Sequence, residues 1–213
     1  MSAWLRRLLV LGTLTVSASA QATIMVPLSL ADLTHEASAV VRAKVLARHA
    51  DWDQAHQRIY TTTTLAVVDV LYAKQKLGSE IRVRTMGGEV GEVGMKVAGT
   101  PDLKVGEETL LFLRDDTSAG QFLVVGMNQG HFVVKTENGR EIAVPTQEGI
   151  AYATPGVDGV VRVDPQHPTP GPTPYLDLKS RILQLKAEEN AMSVPPAVPA
   201  VSPAPTTPRA TQK

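Results

Sequence analysis

No cysteine occurs in the 213 residues. The chain therefore has no disulfide, no thiolate ligand for a metal and no cysteine nucleophile, and its stability must come from a packed core. Charge of one sign is equally absent, with 21 Lys and Arg against 21 Asp and Glu. Such a balance argues against nucleic acid or an anionic membrane as the main partner. Several catalytic signatures are missing too. There is no Gly-x-Ser-x-Gly elbow, and His35-Glu36 is followed by Ala39 where a zinc-protease helix needs its second histidine. Past the N-terminus no apolar run reaches the about 20 residues of a membrane-spanning helix.

What is present begins with MSAWLRR, where Arg6 and Arg7 precede the uncharged LLVLGTLTVSA and the small residues Ala18, Ser19 and Ala20. Basic start, short apolar stretch and small-residue end read as a secretory signal peptide over residues 1–22, cleaved after Ala20 or Ala22. The expected location is beyond the membrane, periplasmic or secreted, with a mature chain near −2 once Arg6 and Arg7 are gone. Eleven of the fifteen prolines lie after Asp164, which divides the rest. Residues 23–164 read as one β domain, 165–173 as a Pro-rich linker, 174–190 as a helix packing on that domain, and 191–213 as a disordered Pro-rich tail with polyproline II character.

Leu28, Leu30, Leu33 and Ala37 fall at helical spacing behind the potential cap Ser29, with Asp32 in the first turn. From Ala39 the pattern alternates as a half-buried strand, and IYTTTTLAVVDVLY follows as a long β-branched run. EIRVRT, ETLLFLRD, QFLVVGM, GHFVVKT and REIAVP continue in the same manner. The last four are joined by turn-forming connectors and predict an antiparallel meander, with PGVDGVVRVD able to hold one further hairpin. Thr173 and Pro174 predict a cap and first turn for the final helix, whose Tyr175, Leu178, Ile182 and Leu185 share one face. The fold class is mainly β: a small OB-like, antiparallel Greek-key barrel with a short N-terminal helix and a C-terminal helix.

Thr85 to Leu113 carries six glycines but neither a dinucleotide fingerprint nor a P-loop, since Gly88, Gly91 and Gly94 recur every third residue and no Gly-Lys-Ser/Thr follows. Glu89 and Glu92 would also repel phosphate. The stretch reads as a long β loop with glycines at bends, and its exposed part, with Gly87, Gly88, Glu89 and Glu92, is a candidate binding loop.

In order, the short helix, ASAVVRAKV, the strand ending VVDVLYAK, IRVRT, the Gly-Gly loop, VGEETLLFL and GMNQGHFVV resemble exported bacterial proteins whose β domain is similar to the netrin and tissue-inhibitor-of-metalloproteinase module. The resemblance spans about Leu28 to Val144 and implies an OB-type barrel. In the inhibitors an N-terminal cysteine chelates the target's zinc; this chain has none, so the resemblance does not carry protease inhibition.

Two further sets of residues are candidates for chemistry. His49, Asp51, Asp53 and His56 in HADWDQAH offer nitrogen and oxygen donors for zinc or calcium, although the same residues suit a solvated hairpin loop. Trp52 among them is either an exposed contact residue or a cap on the barrel end. Asn128, Gln129 and His131 stand together at a strand start, where they would orient a ligand or simply form a turn. Phe112, Phe122 and Phe132, flanked by aliphatics, are expected in the core. The function expected is an exported, non-enzymatic binding module for an extracellular or envelope protein, with no cofactor. The alternatives are a metal-dependent hydrolase built on residues 49–56 and an envelope-associated structural protein acting through the Pro-rich tail.

Overall fold

The computed structural model describes residues 23–116, 120–147, 150–156, 160–164, 167 and 170–193. The expected signal peptide, most of the expected tail and part of the linker lie outside them. The described elements are numbered in chain order: β1 (Thr23–Met25), α1 (Leu30–Glu36), β2 (Ala39–Trp52), β3 (Ile59–Ala73), β4 (Glu80–Met86), β5 (Gly88–Val90), β6 (Val93–Met95), β7 (Glu108–Asp116), β8 (Gln121–Val124), β9 (His131–Glu137), β10 (Arg140–Pro145), β11 (Ile150–Pro155), β12 (Val161–Asp164), β13 (Thr173–Pro174) and α2 (Tyr175–Ser193).

Five strands close on themselves in the order β7-β2-β3-β4-β8, with β8 returning to β7. β2, β3 and β4 form a meander. β8 then inserts between β4, which it meets in parallel at Val83 and Phe122, and β7, which it meets antiparallel. That exchange is the Greek-key closure of an OB-like barrel. Alternation drives it. Along β3, Ile59, Thr61, Thr63 and Leu65 are buried while Tyr60, Thr62 and Thr64 are only partly so, as a strand with one wet face requires.

Two cores flank the barrel wall. Inside lie Val41, Val45, Leu65, Val83, Leu111, Leu113 and Phe122, among others. Outside, Val40, Leu110, Phe112, Phe132 and Ala143 meet Leu33 of α1 and Tyr175, Leu178 and Ile182 of α2. β7 is therefore buried on both faces, which explains the unbroken apolar run TLLFL. The phenylalanines go to the core as expected, with Phe112 and Phe132 ring centroids 5.9 Å apart on the helix side.

Helix α1 starts where the sequence indicated. The Asp32 amide donates to Ser29 Oγ at 3.1 Å and the Ser29 amide to Asp32 Oδ2 at 2.9 Å, a closed capping box. The Ser29 hydroxyl donates to the same carboxylate and, as the largest cause, holds Asp32 below the usual carboxylate range. α2 is seated by charge as well as by its apolar face. Lys179 pairs with Asp69, and Arg42 lies 4.8 Å over the Tyr175 ring while bridging Glu108 and Glu141.

Four details differ from expectation. Thr173 does not cap α2, because Thr173 and Pro174 pair with Ala143 and Ile142 as strand β13 and the helix begins at Tyr175. The helix also continues to Ser193 rather than ending at Asn190. The four late strands are not a simple meander: β8 occupies the C-terminal half of one β7 edge and β9 the N-terminal half, from Glu108 to Leu111. The extra hairpin lies earlier than PGVDGVVRVD: its first strand, β11, precedes that stretch except for Pro155, its second is β12, and β1 joins them in a separate small sheet, running parallel to β11.

Candidate functional site

β2 and β7 pair only from Ala39 with Leu113 to Lys44 with Glu108. A bulge between Val45 and Ala47 then turns β2 away from β7, and from Ala47 to Trp52 it runs on beside β3 as an arm, with β4 paired to the far side of β3 as far as Tyr60. The gap so opened at the barrel mouth is a cleft of about 1120 Å³, large for a small-molecule pocket. The Gly-rich segment from Met86 to Asp102 forms one wall. Val133, Lys135, Val144, Pro145 and Thr146 of the β9–β10 hairpin and its exit form the other, and Thr61 and Thr85 reach it from inside the barrel.

The first wall depends on two glycines. Gly87 and Gly88 have φ of 101° and 140°, and a Cβ on Gly88 would lie 2.5 Å from Thr61 Oγ1 and 2.8 Å from Ala50 Cβ. Only glycine lets the chain lie this close across β2 and β3. The Thr61 hydroxyl donates to the Gly87 carbonyl at 2.6 Å, and the Gly87 amide to the Ile59 carbonyl at 2.8 Å. Gly91 and Glu92 form the exposed turn between β5 and β6. The glycines thus punctuate a sheet, as the missing phosphate motifs indicated.

The turn Gly126-Met127-Asn128-Gln129-Gly130 holds the second wall against the first. The Asn128 amide donates to the Gly99 carbonyl at 2.9 Å, and Asn128 Nδ2 to the Thr146 carbonyl at 2.9 Å. Gln129 is buried: its Oε1 accepts from the Leu28 amide at 2.8 Å and its Nε2 donates to the Val26 carbonyl at 3.2 Å. One amide side chain thereby ties the N-terminal segment to the barrel.

His131 is 1% exposed, and its Nδ1 lies 2.8 Å from Thr146 Oγ1. With the proton on Nδ1, the Thr146 hydroxyl accepts it and donates to the His131 carbonyl at 3.2 Å. Nε2 is buried without a hydrogen-bond partner among the described residues. Burial pushes the imidazole down to about 4, against an upward pull from Asp102. A hydroxyl beside an imidazole is the first requirement of an activated nucleophile. Among the described residues nothing orients the ring from its far nitrogen, and a group protonated only near pH 4 is a weak base.

Of the sequence-predicted binding residues, Gly87, Gly88, Glu89 and Asn128 come together in the cleft. Glu92 and Trp52 do not line it, and Gln129 and His131 lie behind its wall. Trp52 is half-buried near the arm's tip, its ring centroid 6.1 Å from that of His56. The four metal candidates are all on the arm. Asp51 accepts from the Trp52 amide at 2.8 Å and Asp53 from the Gln57 amide at 2.7 Å, so both carboxylates are turned to the arm's own backbone. His49 and His56 are exposed. Among the described residues no group of three or more His, Asp or Glu side chains is placed to hold a metal ion.

Sequence reasoning missed most of the cleft's charge. Arg48 Nη1 pairs with Asp102 Oδ1 at 2.9 Å, and Lys96, Lys104 and Lys135 face Glu89 and Glu107 around the lining. GTPDLKVGEE was the available signal, because a turn carrying mixed charges directly before a doubly buried strand places them at that strand's mouth. No helix among the described residues is long and apolar enough to cross a membrane. No family model matches the chain, and no curated protein is significantly similar to it.

Proposed function

We propose that the mature protein works beyond the membrane as a non-enzymatic binding module whose barrel-mouth cleft receives part of an envelope or extracellular protein. The single observation that carries this reading is the cleft itself, which gathers four of the eight binding candidates singled out from sequence around a volume of about 1120 Å³. The arginine-led N-terminus supports the location. Cleft walls held by buried hydrogen bonds favour recognition of a preformed partner surface or segment, since little ordering is left to be done on binding.

The enzyme reading on residues 49–56 has less support. Its two carboxylates face their own hairpin.

The test is capture of partners from envelope and culture fractions by the mature protein and by a Lys96→Glu, Lys104→Glu variant, both positions being exposed and outside either core. A protein retained by the parent and lost by the variant is the expected result. Equal retention by both would remove the cleft from the account.

A further inference from the structure

We infer that the cleft takes its partner as an added β-strand: an extended acidic peptide segment pairs with the outer edge of β2 between Arg48 and Trp52. The inference rests on the cleft being the binding site and adds the mode of recognition.

Register defines the edge. The Asp53 amide donates to the Arg58 carbonyl at 2.8 Å, which makes those two a hydrogen-bonded pair. Counting back along the antiparallel ladder, Asp51 with Tyr60 and His49 with Thr62 are hydrogen-bonded pairs as well. Trp52, Ala50 and Arg48 then turn their backbone groups away from β3. The other side of the ladder agrees, since the Ile59 carbonyl, opposite Trp52, points outward to the Gly87 amide. Before the bulge the outward groups of β2 are used, with the Val45 amide donating to Glu107 and its carbonyl accepting from Gly106. Past the bulge, among the described residues, no strand pairs with this edge.

An edge of this length offers the amides of Arg48 and Ala50 and the carbonyls of Arg48, Ala50 and Trp52, enough for a strand of about five residues. It borders the cleft through Arg48. Charge selects the segment. Arg48 and Asp102 neutralise one another, and the three lysines of the lining outnumber its two glutamates. The outward direction of the Ala50 amide permits a specific lesion, because proline at an edge position removes a donor without removing a ladder bond.

The probe is a set of synthetic seven-residue peptides, half of them rich in Asp and Glu and half in Lys and Arg, titrated into the isotope-labelled mature protein. Acidic peptides are expected to bind, and the Arg48 and Ala50 amides to gain at least tenfold protection from hydrogen exchange. Ala50→Pro should weaken binding tenfold or more, while Ala50→Ser keeps it. Binding of acidic peptides unchanged by Ala50→Pro, with a native spectrum, would overturn strand addition and leave the cleft reading intact if Lys96→Glu, Lys104→Glu still weakens it. Preference for basic peptides, or no binding by any peptide, would also overturn the inference. The capture experiment decides separately whether the cleft binds a folded protein surface.

Discussion

The turn Gly126–Gly130 and the arm segment His49–His56 are both short, polar and rich in hydrogen-bonding side chains, yet they do opposite things. In the turn, Asn128 and Gln129 reach segments remote in sequence, with Gln129 bonded across 101 and 103 positions to Leu28 and Val26. In the arm, Asp51 and Asp53 bond one and four residues away. The turn joins the N-terminal segment, the Gly-rich wall and the β10 exit into one body, whereas the arm closes only its own hairpin. A local density of donors therefore indicates polarity and not whether the donors act within the segment or between segments.

The sharpest way to break this contrast is Gly130→Ala. Its Cβ would lie 2.5 Å from the Val125 carbonyl oxygen and 3.3 Å from Phe112 Cβ. We expect a loss of roughly 3 kcal/mol in urea unfolding, with no relief available from a flexible neighbour. Gln129→Ala should cost about 2 kcal/mol, because it removes a buried side chain and leaves the part-buried amide of Leu28 without its acceptor. Hydrogen exchange at Leu28 should accelerate in parallel.

Smaller, and dependent on pH, is the contribution of His131. Its folded pKa of about 4 lies below the ordinary 6.5, so the unfolded chain takes up the proton first and stability falls as pH drops from about 6.5 toward 4. At pH 5.5 the loss relative to neutral pH should be about 1 kcal/mol. His131→Gln should abolish this part of the pH dependence. Smallest of all, His49→Ala should change stability by no more than about 0.5 kcal/mol, and added zinc should not shift the parent's unfolding midpoint. A zinc-induced rise abolished by His49→Ala would give the arm a role that its described geometry does not.

The same contrast explains how much was legible in the sequence. Elements set by local pattern were readable: the Ser29 cap of α1, the β-branched run of β3, the existence of strand β7 and the Tyr175, Leu178, Ile182 face of α2. Pairings between distant segments were not. β9 joins β7 rather than β8 because left-handed Gly126 and Met127, with φ of 60° and 58°, start a 3-10 turn that carries the chain past β8. No periodicity encodes which edge a strand will meet after such a turn. β1 is three residues long, too short for any alternation to show. The cleft was half-legible for the same reason. Its glycines stood out, while Arg48, Asp102 and Lys135 come from three different segments and meet only in the closed barrel.

The central claim, that the barrel mouth and the β2 edge beside it, and not the arm's tip, are the binding surface, is tested most directly by mapping backbone amide shifts of the isotope-labelled mature protein on addition of the captured partner. We expect the changes to gather on Gly87–Pro101, Arg48 and Thr146 around the cleft, with Asp53–Gln57 at the arm's tip little affected. Shifts concentrated on Asp53–Gln57, with Gly87–Pro101 and Thr146 silent, would contradict it.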